Sequence, residues 1–232
     1  MSLEQSNPRQ EPLSKPNIEI QADFDAFVPQ DFKTDPVRYF EEKGVNIKSG
    51  EVEIDDQGKI KEDPTAVKEF PEWNDGKGKK LYIIAKKVNI EKSQVGKTGD
   101  PFHEYKIMEI AKEFDLPAPK PIAKIEQNKI HIILMEKVEG FRWIERDVEV
   151  LNRAGLTEVG KENLIAQAEK LMSDLDDRFS EIGLIRKWKL KDMIFDIDLK
   201  TKTVRSLTPT DWERTKIDQI RLSEARAKKS GM

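Results

Sequence analysis

The chain has 232 residues, 41 Lys and Arg against 44 Asp and Glu, a formal net charge of −3 and no cysteine. That length can bury a sizeable core as one domain or two small ones. The near balance of charge gives no global attraction for nucleic acid, and without thiols there are neither disulfides nor thiolate chemistry.

Residues 1 to about 30 are rich in Pro, Gln, Asn and Ser and are expected to form a mobile polar arm. The opening MSLEQSNPRQEPLSKPN has no apolar stretch of the signal-peptide kind. The longest apolar run, Ile130 to Met135, is interrupted by His131 and is too short to span a bilayer. A cytoplasmic location follows as the expectation, with neither membrane nor nucleic acid as a partner.

Thr34-Asp35-Pro36 starts the first element. A polar cap, proline at the first helical position, the apolar Val37, Tyr39 and Phe40, and Gly44 beyond them describe a helix of two turns. Glu51-Val52-Glu53-Ile54 and Lys59-Ile60 around Asp55-Asp56-Gln57-Gly58 predict a hairpin. A second turn, Asn74-Asp75-Gly76-Lys77-Gly78, leads into a buried-type strand, Leu81 to Ala85. Asp100-Pro101 caps a helix whose apolar positions are Phe102, Ile107, Met108, Ile110, Ala111 and Phe114, and Leu116-Pro117-Ala118-Pro119 stops it.

Strands are expected over 122–125 and 129–135, followed by a linker. The strongest helix pattern runs over 163–182, with Leu164, Ala168, Leu171, Leu175, Phe179 and Ile182 in one stripe. Short strands at 193–195 and 203–207 flank a turn at 198–202, and the tail from Asp211 is polar and helix-prone. The layout is α+β: an antiparallel sheet with one helix, then a mainly helical part.

Specific residues give this order a resemblance to the protein-kinase and aminoglycoside-phosphotransferase superfamily. Ile83-Ile84-Ala85-Lys86-Lys87-Val88 resembles the third strand of the kinase N-lobe, whose lysine holds nucleotide phosphates. The same Lys86 could equally begin a solvated charged run. Glu104 stands where the lysine-pairing glutamate of the αC helix belongs, with Glu109 as the competing candidate. The segments Leu116-Pro117-Ala118-Pro119-Lys120-Pro121 and Ile133-Leu134-Met135-Glu136-Lys137-Val138-Glu139-Gly140 resemble the approach to the hinge between lobes. Met135 would then be the gatekeeper, and Glu136, Lys137 and Val138 would offer backbone groups to an adenine edge.

Gly183-Leu184-Ile185-Arg186-Lys187-Trp188-Lys189-Leu190-Lys191-Asp192 has the rhythm of the catalytic loop H-R-D-x-x-x-x-N. Asp192 takes the place of the metal-binding asparagine, and Asp192 and Lys189 are the candidate catalytic side chains. Thr210-Asp211-Trp212-Glu213 resembles the metal-binding element that follows, so that Asp192 and Asp211 would hold Mg²⁺ against ATP. Asp211 also fits a plain helix cap. The resemblance covers roughly residues 50 to 215. It implies a kinase-like fold with an N-lobe-like region over 31–140 and a reduced C-lobe-like region over 141–232.

Two departures from that pattern bear on activity. Gapless alignment puts Lys187 where a carboxylate should take the substrate's proton, and neither Trp188 nor Lys189 can replace that base at neutral pH. The segment Asp63 to Phe70 before Lys86 holds no glycine, so a close backbone cradle for phosphates is not expected there. Gly96-Lys97-Thr98 is not a phosphate-binding P-loop, because Glu91 stands where the motif needs glycine. With His103 and His131 the only histidines, a zinc site is not expected.

The leading expectation is a nucleotide-binding pseudokinase working through a protein partner. An active atypical ATP-dependent phosphotransferase, with Asp192, Asp196 or Asp198 as base, and a kinase-derived interaction module without nucleotide are the alternatives.

Overall fold

The computed structural model describes residues 15–43, 67–69, 73–75, 77–88, 100–143, 145–153, 155–212 and 214–231. The hairpin expected over residues 51–60 and the Gly96-Lys97-Thr98 segment lie outside them.

Strand β1 (Asn17–Ile20) pairs antiparallel with a central strand, and a 3₁₀ turn (Ala22–Phe27) follows it. Over residues 15–30 the expectation of a mobile arm fails, and residues 1–14 lie outside the described part. Phe24, Phe27 and Val28 are buried, because the apolar residues scattered through this polar stretch cover one face of the sheet. Helices α1 (Gln30–Thr34) and α2 (Pro36–Glu42) come next. The Asp35 carboxylate accepts from the Arg38 N–H at 3.1 Å and Pro36 opens the helix, as the cap pattern predicts.

The main sheet is completed by β2 (Val67–Glu69), β5 (Ile83–Lys87), β6 (Pro121–Gln127) and β7 (Ile130–Glu136), in the order β1-β6-β7-β5-β2 and antiparallel throughout. Between β2 and β5, the expected turn joins β3 (Trp73–Asn74) to β4 (Lys80–Leu81). Helix α3 (His103–Glu113) stands between β5 and β6 in sequence, with Asp100 accepting from the Phe102 N–H at 2.8 Å ahead of its first turn.

Side chains alternate across a strand, so each strand serves two layers. On β7, Ile132 and Leu134 join Phe32, Phe40 and Trp73, while Ile133 and Met135 face the layer that contains α3. On β5, Ile83 and Ala85 take the first side, which turns Ile84 and Lys86 toward the second.

The rest of the chain extends that second layer. A short β8 (Phe141–Arg142) and helix α4 (Glu145–Arg153) occupy the expected linker. Helix α5 (Glu158–Glu181) begins five residues before the periodic stripe suggests, where the Thr157 hydroxyl accepts from the Gly160 N–H. Then come β9 (Leu184–Ile185), β10 (Met193–Asp198), β11 (Thr203–Pro209), β12 (Lys216–Ile217) and helix α6 (Gln219–Ser230). Strand β10 lies between β11 and β8, and β12 pairs with β9.

One hydrophobic cluster holds Tyr105, Ile107 and Met135 together with Leu164, Phe179, Trp188, Trp212 and Leu222, so the core runs continuously across residue 140. The described part is α+β with antiparallel sheets. Among the described residues, no helix is long and apolar enough to cross a membrane.

Candidate functional site

Lys86 leaves β5 on the α3 side of the sheet, and its Nζ lies 2.7 Å from the Glu104 carboxylate. Both side chains are largely buried, 13% and 7% exposed, so the pair is poorly screened by solvent. The second Glu104 oxygen accepts from the Trp212 N–H at 3.3 Å. One carboxylate therefore joins the sheet, helix α3 and the residue after Asp211. Glu109, the competing partner, instead accepts from Gln21 at 2.6 Å.

The segment after Gly183 is held at both ends. Gly183 has φ +82° and a Cβ there would meet the Asp218 carbonyl oxygen at 2.5 Å, a turn that favours glycine. At the far end, the Asp192 carbonyl accepts from the Thr210 N–H at 2.9 Å and from its hydroxyl at 3.1 Å. Between these anchors the side chains alternate: Trp188 is buried, Arg186 partly so, and Lys187, Lys189 and Lys191 are exposed. Beneath them Trp212 meets Trp188 and Phe179 edge-on, with the two indoles 4.8 Å apart, Phe179 is tilted against Trp188, and the Trp212 Nε1–H donates to the Pro209 carbonyl.

Arg186 is the residue whose importance sequence reasoning missed. Its guanidinium stacks on the Trp188 ring at 4.5 Å and donates to the Asp211 carbonyl. That bond comes from Nη1, while Nη2 reaches both the Asp192 carboxylate at 3.2 Å and the Asp211 carboxylate at 3.0 Å. Asp192 and Asp211 do come together, as expected, but around a cation supplied by the chain itself.

That arrangement does not fit Mg²⁺. The ion takes oxygens at about 2.0–2.1 Å in near-ideal octahedral geometry, whereas here both carboxylates are spaced around a guanidinium nitrogen that would have to leave. Among the described residues, no group of three or more His, Asp or Glu side chains is placed to ligate a metal.

An open cleft of about 400 Å³ lies beside this cluster. Arg186, Lys187, Lys189, Lys191, Arg214 and Lys216 line it together with Asp192 and Asp211. Lys187, at the expected position of the catalytic base, and Lys189 are exposed cations there. Behind the loop on α5, burial and the neighbouring Asp177 hold the Asp176 carboxyl above its ordinary value, with Lys187 acting against that shift.

At the expected hinge, Met135 is buried in β7 opposite Ile84. The Glu136 N–H donates to the Lys120 carbonyl at 2.9 Å and the Lys137 N–H to the Tyr82 carbonyl at 2.8 Å. Both of these N–H groups are thus engaged within the fold. Val138 follows, half-buried, where β7 has ended.

Compared with known proteins, the chain matches no family model and no curated sequence.

Proposed function

We propose that this chain is a kinase-like module that binds a nucleoside triphosphate, transfers phosphate poorly if at all, and acts through a protein partner. The observation that carries the reading is the Glu104 carboxylate, which pairs with Lys86 and accepts from the Trp212 N–H. It holds a strand lysine beside the segment of Asp211 across 108 residues of sequence. The antiparallel sheet, the helix that supplies Glu104 and the loop between Gly183 and Asp192 support it in the same order as the resemblance.

Low activity follows from the cleft. Lys187 and Lys189 are exposed cations at the place where a proton must be accepted, and a general base contributes about 10²–10⁴-fold to such a step.

A thermal-unfolding titration with ATP tests the binding half. Ligand that binds only the folded chain stabilises it, by about 2.7 kcal/mol at a hundredfold excess over Kd. Lys86→Ala and Asp211→Ala should each weaken ATP binding. No ATP-dependent shift in the unmutated chain, or unchanged affinity in both variants, would remove the nucleotide assignment. Turnover above about 1 s⁻¹, the low end for kinases, would remove the assignment of poor transfer.

A further inference from the structure

We propose that Arg186 takes the place of a divalent cation between Asp192 and Asp211, which makes the adjoining cleft a metal-free site for a polyphosphate anion. This deepens the nucleotide reading and rests on it for the identity of the cleft. The replacement itself stands on the geometry of three side chains.

A planar guanidinium is charged at every accessible pH and forms charge-assisted hydrogen bonds to carboxylates. Arg186 has both carboxylates within 3.2 Å of one nitrogen, is only 7% exposed, and is backed by the Trp188 ring. Such a group is held in place, whereas a free arginine on the surface would move aside for an ion. It satisfies the two acids in the way a bound metal would and keeps a second cation out by charge.

The anion follows from what remains around the cleft. Six cationic side chains line it against two carboxylates, and those two are already neutralised in part by Arg186. Lys187, Lys189 and Lys191 project from alternate positions of the loop, and Arg214 and Lys216, which follow Asp211 in sequence, line the same cleft. Ammonium groups on flexible stems suit the close negative charges of a phosphate chain, which metal-dependent sites otherwise neutralise with Mg²⁺. A single phosphate would engage a fraction of this lining, whereas a triphosphate can reach several of its cations at once.

Calorimetric titration of the full chain with inorganic triphosphate and with ATP, each in EDTA and in Mg²⁺, tests the proposal. Mn²⁺ binding read by electron paramagnetic resonance accompanies it. Triphosphate should bind in EDTA at least as tightly as in Mg²⁺, and Lys189→Ala with Lys191→Ala should weaken it about tenfold or more. The unmutated chain should bind no Mn²⁺ at this site, Arg186→Ala should gain it, and Arg186→Lys should still exclude it.

Binding of either anion only with Mg²⁺, or Mn²⁺ binding by the unmutated chain equal to that of Arg186→Ala, overturns the proposal, and the nucleotide reading then stands wherever ATP itself binds. Triphosphate binding in EDTA without any for ATP supports the proposal and overturns the nucleotide reading. No binding of either anion under any condition overturns both. The measurements on the unmutated chain decide the matter even where Arg186→Ala fails to fold.

Discussion

Two charge clusters meet at the Asp211-Trp212 segment, and they are built differently. The Lys86–Glu104 pair matches one cation with one anion, contributed by a strand and a helix of the same half of the chain. The Arg186–Asp192–Asp211 cluster sets one cation against two anions, all from the segment between Gly183 and Trp212. The first is complete in itself, and its second carboxylate oxygen is used by the Trp212 N–H. The second sets two carboxylates on one guanidinium beside a cleft lined by lysines. The first pair serves as an internal tie, whereas the second borders an open cleft that a ligand can enter.

The largest effect should come from breaking the complete pair. Glu104→Ala leaves Lys86 buried without its carboxylate and should cost about 3 kcal/mol in urea unfolding, the scale for removing one partner of a buried pair. Lys86→Met combined with Glu104→Leu should recover part of that loss, because an apolar pair of similar volume can replace a buried ion pair, while the Trp212 N–H still loses its acceptor. A loss near zero for Glu104→Ala would mean that the tie is absent in solution.

Arg186→Ala should cost less, about 2 kcal/mol, since Asp211 is partly exposed and its charge is screened. The sharper distinction is in the remedy: millimolar Mn²⁺ should raise the melting temperature of Arg186→Ala and leave that of Glu104→Ala unchanged. Equal responses would erase the contrast between the clusters.

A third substitution loosens one half alone. Gly183→Ala adds a Cβ at positive φ, 2.5 Å from the Asp218 carbonyl oxygen and 3.0 Å from the Leu222 nitrogen. It should cost about 1–2 kcal/mol through strain and speed hydrogen exchange around Gly183 and Asp218 before it affects β5 and β7.

The smallest effect belongs to an exposed pair that serves as a reference. Hydrogen bonding to Arg205, then to the Thr201 and Lys200 N–H groups, lowers the Asp198 carboxyl to about 2. A carboxylate lowered on folding adds stability above its unfolded value of 3.8, and that contribution is lost as the pH falls toward about 2. NMR titration of Asp198 should show that midpoint and a shift toward 3.8 in high salt; a midpoint already near 3.8 in low salt would rule the contact out.

Much of this frame could be read from the sequence where local chemistry decides the outcome. Asp35-Pro36 and Asp100 mark helix starts, and the parity of Ile83 to Lys86 sends the lysine to the α3 face. Composition misled at β1: Asn17-Ile18-Glu19-Ile20 alternates as an edge strand should, but sits among prolines and polar residues. Helix α4 was hidden because its nine residues look like charged linker. Arg186 was in view as part of a loop pattern, yet its role depends on Asp211, 25 residues away, which the pairing of β10 with β11 brings back beside Asp192. Local pattern does not encode that return.

The two ends of the described chain grip one helix. Gln21 donates to the Tyr105 hydroxyl at 3.0 Å and to Glu109 at 2.6 Å, and Asp23 pairs with Lys112 at 2.8 Å. From the other end, Arg226 forks onto Glu113 at 2.6–3.1 Å, and Lys229 reaches the Glu113 carbonyl. Neighbouring residues of α3 are thus fastened to opposite extremities of the fold. Mechanically, a pull applied through residues 15 and 231 would load α3 first and reach the cleft by way of Glu104. In a single-molecule stretching experiment the earliest rupture should therefore release α6 or β1 from α3, with the Gly183 to Trp212 segment still folded.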